Sequence, residues 1–327
     1  MPSDNRTNLA NAGGGGGGGG GRGGGVRPTT WLNWVAQALL GIVVVWFLWG
    51  RVAQDLSEFR SVGLQLQFRP VPIAMAAVVV WATYGLLIAA WRAILGGWNQ
   101  QLSFRSSVWI WCVSNLGRYL PGKIWSLAGL AVLATREGVQ GWSAAGSALV
   151  MQAMAIATGA AVAFAFLPQA DSPLPLVAGF AIAAITVAAL MAKPVVRQIS
   201  RLAGKTVELE ALPPRTILLA TGVTLASWLM YGTAFWLLAR GITPDVVPPL
   251  TLAVGSFAAA YIVGLLAVFA PGGLIVREGV LMALLAPSVG TGPALALSIG
   301  SRLLLTATEV VAALVALMMR PRAGESA

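Results

Sequence analysis

Apolar runs separated by short polar connections fill most of the chain, and they come in two kinds. Six are uninterrupted, at 31–49, 71–95, 142–167, 176–191, 216–239 and 293–319. Roughly 20 apolar residues in a helix cross the hydrocarbon layer, so these runs are read as membrane spans. Two others are broken. Asn115, Arg118, Pro121, Gly122 and Lys123 cut the run at 108–135, and Pro271, Gly272, Gly273, Arg277 and Glu278 cut the run at 250–285. Proline lacks a backbone donor and clashes with the preceding turn, while charge in hydrocarbon needs compensation. Each broken run is expected to be either a re-entrant hairpin or two short spanning helices. Both choices leave the next long helix starting on the same side.

The elements repeat in the order span, span, hairpin, span, first over 31–167 and again over 176–319. An odd number of crossings in each set turns the second set upside down relative to the first. The expected fold is therefore all-α: a polytopic membrane protein with two inverted repeats, about six full spans plus two broken or re-entrant helical hairpins. Lys193, Arg197, Arg201, Lys205 and Arg215 outweigh Glu208 and Glu210 in one connection, which assigns it to the cytoplasm. Arg320 and Arg322 place the C-terminus there too, and counting spans brings the N-terminus to the same side. The Asp171 turn and the 240–249 connection then face outward. The first hairpin opens inside, and the second opens outside.

Composition agrees with a bilayer. Hydrophobic residues make up 57% and charged residues 10%, with a mean hydropathy of +0.79, where a soluble protein carries about a quarter charged residues. The formal charge of +10 raises the question of nucleic acid, but the bases mostly sit in the connections. They fit topology and anionic-lipid contact instead, so no nucleic acid is expected as partner. There is no histidine, and Cys112 is the only cysteine. An intrachain disulfide is excluded, zinc and Cys/His hydrolase chemistry lack raw material, and no Rossmann or Walker spacing occurs. No metal, cofactor or catalytic residue is expected, and the chain is read as not an enzyme. Residues 13–25 are all glycine apart from Arg22, so 1–30 reads as a disordered tail, and 320–327 as a cytoplasmic tail.

Candidate chemistry gathers at the breaks. Around the first, Asn115, Arg118, Tyr119 and Lys123 offer amide, guanidinium, phenol and ammonium groups beside Pro121-Gly122. Arg118 can grip phosphate or carboxylate with a fork of donors, and Lys123 adds a point charge. Alternatively both snorkel and anchor a helix. At the second break Arg277 and Glu278 form an adjacent pair in which Arg277 binds an anion and Glu278 holds it, unless the pairing is structural. Arg302 and Glu309 lie seven residues apart and so share a helix face. Glu309 is a proton-coupling or gating candidate, or else a partner for Arg277 or Arg302. Tyr261 either lines a cavity or packs. The tetrapeptide Arg-Glu-Gly-Val occurs at 136–139 and 277–280, but 14 residues after Gly122 in one case and five after Gly272 in the other. The two hairpins are expected to match in topology more than residue by residue.

The motifs NLGRYLPGKIW, from Asn115 to Trp125, and PGGLIVREG, from Pro271 to Gly279, in this order between hydrophobic blocks, resemble the lysylphosphatidylglycerol synthase transmembrane-region family of flippase-like membrane proteins. The resemblance covers about 31–319. In that family the second motif commonly reads PGG-L-G-x-R-E, and this chain carries Ile275 where the glycine falls. The resemblance implies a membrane domain that moves lipid-linked or aminoacylated phospholipid substrates. With Ala327 close behind the last helix, aminoacyl transfer is not expected. The reading is a lipid transporter or flippase-like protein of the cell membrane, moving an anionic phospholipid or polyprenyl-phosphate-linked headgroup. Its alternative is a non-catalytic accessory protein beside a membrane glycosyltransferase or lipid-synthesis enzyme. A small-solute carrier ranks below both.

Overall fold

Helix is the only regular secondary structure among the described residues, as the periodicity and the need to satisfy every backbone group in lipid require. The computed structural model describes residues 50, 68–119, 125–167, 174–191, 211–267 and 275–319, all within one unit spanning 43–327. The expected span at 31–49, both tails, the Asp171 turn, the charged stretch 193–210 and the two Pro-Gly breaks lie outside the described residues.

In chain order the helices are α1 (Pro70–Gly97), α2 (Phe104–Asn115), α3 (Trp125–Arg136), α4 (Gly141–Phe166), α5 (Leu174–Met191), α6 (Pro214–Ile242), α7 (Leu250–Leu266), α8 (Val276–Val289) and α9 (Thr291–Met318), with a 3-10 turn at Leu116–Tyr119. Four of them, α1, α4, α6 and α9, are long and apolar enough to cross a membrane. Five of the six long runs read from sequence, all but 31–49, fall on helices within about three residues of their expected ends. Proline in the first turn starts α1 and α6, where its missing donor costs nothing. The Ser103 hydroxyl accepts from the Ser106 amide at 3.1 Å and caps α2.

Each broken run is a pair of short helices packed against each other, α2 on α3 and α7 on α8. At 12 residues apiece α2 and α3 are about 18 Å long. With 17 and 14 residues, α7 and α8 reach about 25 and 21 Å, short of the roughly 30 Å of hydrocarbon. The first hairpin is tied across its mouth: the Ser106 hydroxyl donates to Glu137 Oε2 at 2.8 Å, and the Gln140 amide to Gln100 Oε1 at 3.0 Å.

α1 and α6 run antiparallel along their whole length. The Arg69 amide donates to the Gly241 carbonyl at one end, and Gly97 lies against Leu212, Pro213 and Thr216 at the other. α6 and α7 approach closely where a Cβ on Gly232 would meet the Val254 backbone at 2.5 Å. Two apolar clusters fill opposite ends of the bundle. One holds Trp91, Leu95, Ile110, Ala134, Met154 and Ile217; the other holds Val80, Phe235, Phe257, Leu285 and Leu297. The clusters change over within α1, α4 and α6, near the middle of each helix.

Helix contacts have a regularity of their own. Exchanging α1 with α6, α2 with α7, α3 with α8 and α4 with α9 leaves the α1–α6 contact in place and carries every other substantial contact among these eight helices onto an observed one. Thus α4 packs on α7 just as α9 packs on α2.

Candidate functional site

A cavity of about 260 Å³ opens where the two apolar clusters meet. Leu87 and Trp91 of α1, Met151 and Gln152 of α4, Trp228 and Tyr231 of α6 and Leu305 and Glu309 of α9 contribute to its wall, all from the interior of long helices. Both hairpins reach it: Asn115, Arg118 and Tyr119 from the first, Tyr261, Arg277 and Glu278 from the second. The seven described residues among the eight site candidates therefore share one cavity. Lys123 lies outside the described residues.

Local structure explains how the first hairpin presents its groups. After α2 the chain tightens into the 3-10 turn, and a Cβ on Gly117 would sit 2.8 Å from the backbone of Trp125 and Ser126. Glycine here lets the turn press onto the start of α3 and directs Arg118 and Tyr119 at α9. Arg118 Nη1 donates to Glu309 Oε1 at 2.6 Å, and Nη2 to Asn115 Oδ1 at 3.0 Å. The Tyr119 hydroxyl donates to Glu309 Oε2 at 2.7 Å and lies 3.1 Å from Thr306 Oγ1. One carboxylate, 3% exposed, thereby holds two neighbouring side chains of the turn through its two oxygens. At the residue before Glu309, α1 reaches the same stretch of α9: Trp81 Nε1 donates to the Thr308 carbonyl at 3.1 Å, and the Tyr84 and Thr308 hydroxyls are 3.4 Å apart.

The second hairpin differs from expectation. Arg277 and Glu278 do not pair with each other, because successive residues on a helix point about 100° apart. Arg302 Nε of α9 donates instead to Glu278 Oε1 at 3.1 Å, and its Nη2 reaches the same oxygen. Glu278 Oε2 is buried and accepts nothing among the described residues. Glu309 in turn pairs with Arg118 rather than with Arg277 or Arg302, the partners expected from sequence.

Arg277 is left without a carboxylate among the described residues. Its Nη2 donates to the Ser301 hydroxyl at 3.1 Å, and its guanidinium lies 5.2 Å from the Phe257 ring centre and 5.9 Å from that of Tyr261. Aromatic faces attract the cation without neutralising it. Phe257 stacks with Tyr231 at 5.8 Å, and Tyr261 meets Trp228 edge-on at 5.3 Å, so the rings form a continuous aromatic wall. Sequence reasoning passed over Tyr231, Phe257, Gln152 and Ser301. The signal available was Trp228 three residues before Tyr231 and Phe257 four before Tyr261, helical spacings that set aromatic rings on one face.

The repeated tetrapeptide has two unrelated structures. Arg136-Glu137 ends α3, with Gly138 at φ 91° where a left-handed residue closes the helix and Val139 returning its amide to the Ala134 carbonyl. Arg136 is exposed, and Glu137 binds Ser106 at the hairpin mouth. Arg277-Glu278 begins α8, and Gly279 lies inside that helix. Just before it, Ile275 is held at φ 68°, a left-handed conformation unfavourable for a β-branched residue. This is the position where the family pattern commonly has glycine, the residue that adopts such a φ freely.

A family model described as the lysylphosphatidylglycerol synthase TM region matches residues 34–313. The match includes both hairpins and every cavity residue named above. The chain belongs to the lysylphosphatidylglycerol synthase transmembrane-region family. Family membership and the long apolar helices together make it a multi-pass membrane protein of a lipid-handling family. No curated protein matched the chain.

Proposed function

We propose that this family member is a lipid transporter, not an enzyme, which passes an anionic or polyprenyl-linked headgroup through the central cavity while the acyl or prenyl chains stay in the bilayer. The observation that carries the reading is Arg277: a guanidinium facing a cavity halfway along the bundle, with no carboxylate within ion-pair distance among the described residues. An unbalanced charge at membrane depth is expensive and marks a ligand pathway. The exchange regularity of the helix contacts supports two inverted repeats, and the short paired helices support re-entrant hairpins that meet at the site from opposite faces. Rocking of one half against the other would open the cavity to each side in turn. Glu309 and Arg118 join the halves, so an anion that competes for Arg118 would loosen that joint. On this reading the first hairpin opens to the cytoplasm, as do both termini, and the protein resides in the cell membrane.

The test is headgroup translocation by the purified full chain in proteoliposomes. Translocation abolished in Arg277→Gln, with the variant still folded, is the expected result. Lipid binding without any translocation by the unaltered chain would replace the transporter with an accessory binder.

A further inference from the structure

The cavity's charge balance indicates which headgroup it accepts. Among the described residues three guanidinium groups, Arg118, Arg277 and Arg302, face two carboxylates, Glu278 and Glu309. Each carboxylate already has its guanidinium, and Glu309 has both oxygens engaged. Among the described residues a ligand carrying an ammonium group would find no carboxylate without a guanidinium already on it and would add repulsion to Arg277, in surroundings where charges are poorly screened. One negative charge, by contrast, completes the balance.

The remaining polar groups suit a neutral, hydroxylated neighbour of that charge. The phenols of Tyr231 and Tyr261 and the amide of Gln152 line the same cavity. A hydroxyl can donate to the Gln152 amide oxygen and accept from a phenol without altering the charge balance. The rings of Trp228, Tyr231 and Tyr261 offer apolar faces for the C–H groups of a polyol. A volume of about 260 Å³ corresponds to on the order of nine waters, which admits a phosphate with roughly one glycerol or one sugar.

We infer that the site selects a phosphate monoanion esterified to a single neutral polyol unit, glycerol or one sugar, and rejects zwitterionic and aminoacylated headgroups. This rests on the cavity being the headgroup site, as proposed above, but it concerns selection and not movement. Arg277 takes the phosphate; the Gln152 amide and the two phenols take the polyol.

The experiment is native mass spectrometry of the full chain in detergent, titrated separately with phosphatidylglycerol, a polyprenyl-phosphate hexose, phosphatidylethanolamine and lysylphosphatidylglycerol. The first or second should bind at least about tenfold more tightly than the last two, and which of them leads identifies the glycerol or the sugar as the natural polyol. Arg277→Gln should erase the preference. Gln152→Glu, which adds a carboxylate to the wall, should shift it toward phosphatidylethanolamine. Equal or tighter binding of the amine-bearing lipids, or a preference untouched in both variants while they remain monodisperse, overturns the inference. Selective binding with no translocation would sink the transporter and leave the inference standing; translocation without headgroup preference would do the reverse.

Discussion

Glu309 has the most consequential side chain among the described residues outside Arg277. It sits on α9, is buried, and holds Arg118 and Tyr119 of the first hairpin at 2.6 and 2.7 Å. Removing one member of a buried pair strands the other charge, at about 3–5 kcal/mol when burial is complete. Arg118 keeps 33% exposure, which water in the cavity would exploit, so a loss of about 2 kcal/mol is expected for Glu309→Ala. Arg118→Met combined with Glu309→Leu should recover part of that loss, with a coupling of at least about 1 kcal/mol in a double-mutant cycle followed by thermal unfolding in detergent. Additive losses would mean that the two side chains do not support each other. None of this was legible in the sequence: the partners are 191 positions apart, and hydropathy marks both as costly without saying which meets which.

Helix ends and helix breaks were legible, and the twin tetrapeptides show how far. The same four letters close α3 and open α8, because what precedes them differs: a 12-residue helix in the first case, a Pro-Gly-Gly break in the second. Gly138 needs its φ of 91°, whereas Gly279 is an ordinary helical residue with open space around it. Gly138→Ala should therefore lower the unfolding midpoint, at a cost of about 1 kcal/mol, and Gly279→Ala should leave it unchanged or raise it by up to about 1 kcal/mol. Shifts of the same sign would show that the copies are structurally alike after all. Adjacent charges misled the reading here. Arg277 and Glu278 look like a pair on paper, yet a helix turns them to different neighbours, Ser301 and Arg302.

At the scale of the molecule, the contact regularity and the antiparallel α1 and α6 predict where each hairpin opens. Arg136 stands at the mouth of the first hairpin, and Val246 and Thr291 flank the second; all three are exposed. In a background with buried Cys112 replaced by alanine, Val246→Cys and Thr291→Cys should both react with a membrane-impermeant maleimide on intact cells. Arg136→Cys should react only after permeabilisation. Labelling of 246 and 291 from opposite sides would mean that α7 and α8 together cross the membrane an odd number of times, which removes the inverted arrangement. The positive-inside argument that orients this prediction uses 193–215, most of which lies outside the described residues, so the labelling is an independent check on it.

By itself the sequence determined where the long helices run, where two of them break, and that charge is concentrated at those breaks. These are one-dimensional properties: an apolar run of sufficient length and a proline state their consequences without knowing their neighbours. Tertiary structure alone decided which charge is left over. Arg118 takes Glu309 and Arg302 takes Glu278 because α9 lies between the hairpins and turns each carboxylate or guanidinium toward one of them. The pairing of three bases with two acids depends on direction in space, and only the packed helices supply it, leaving Arg277 facing the cavity.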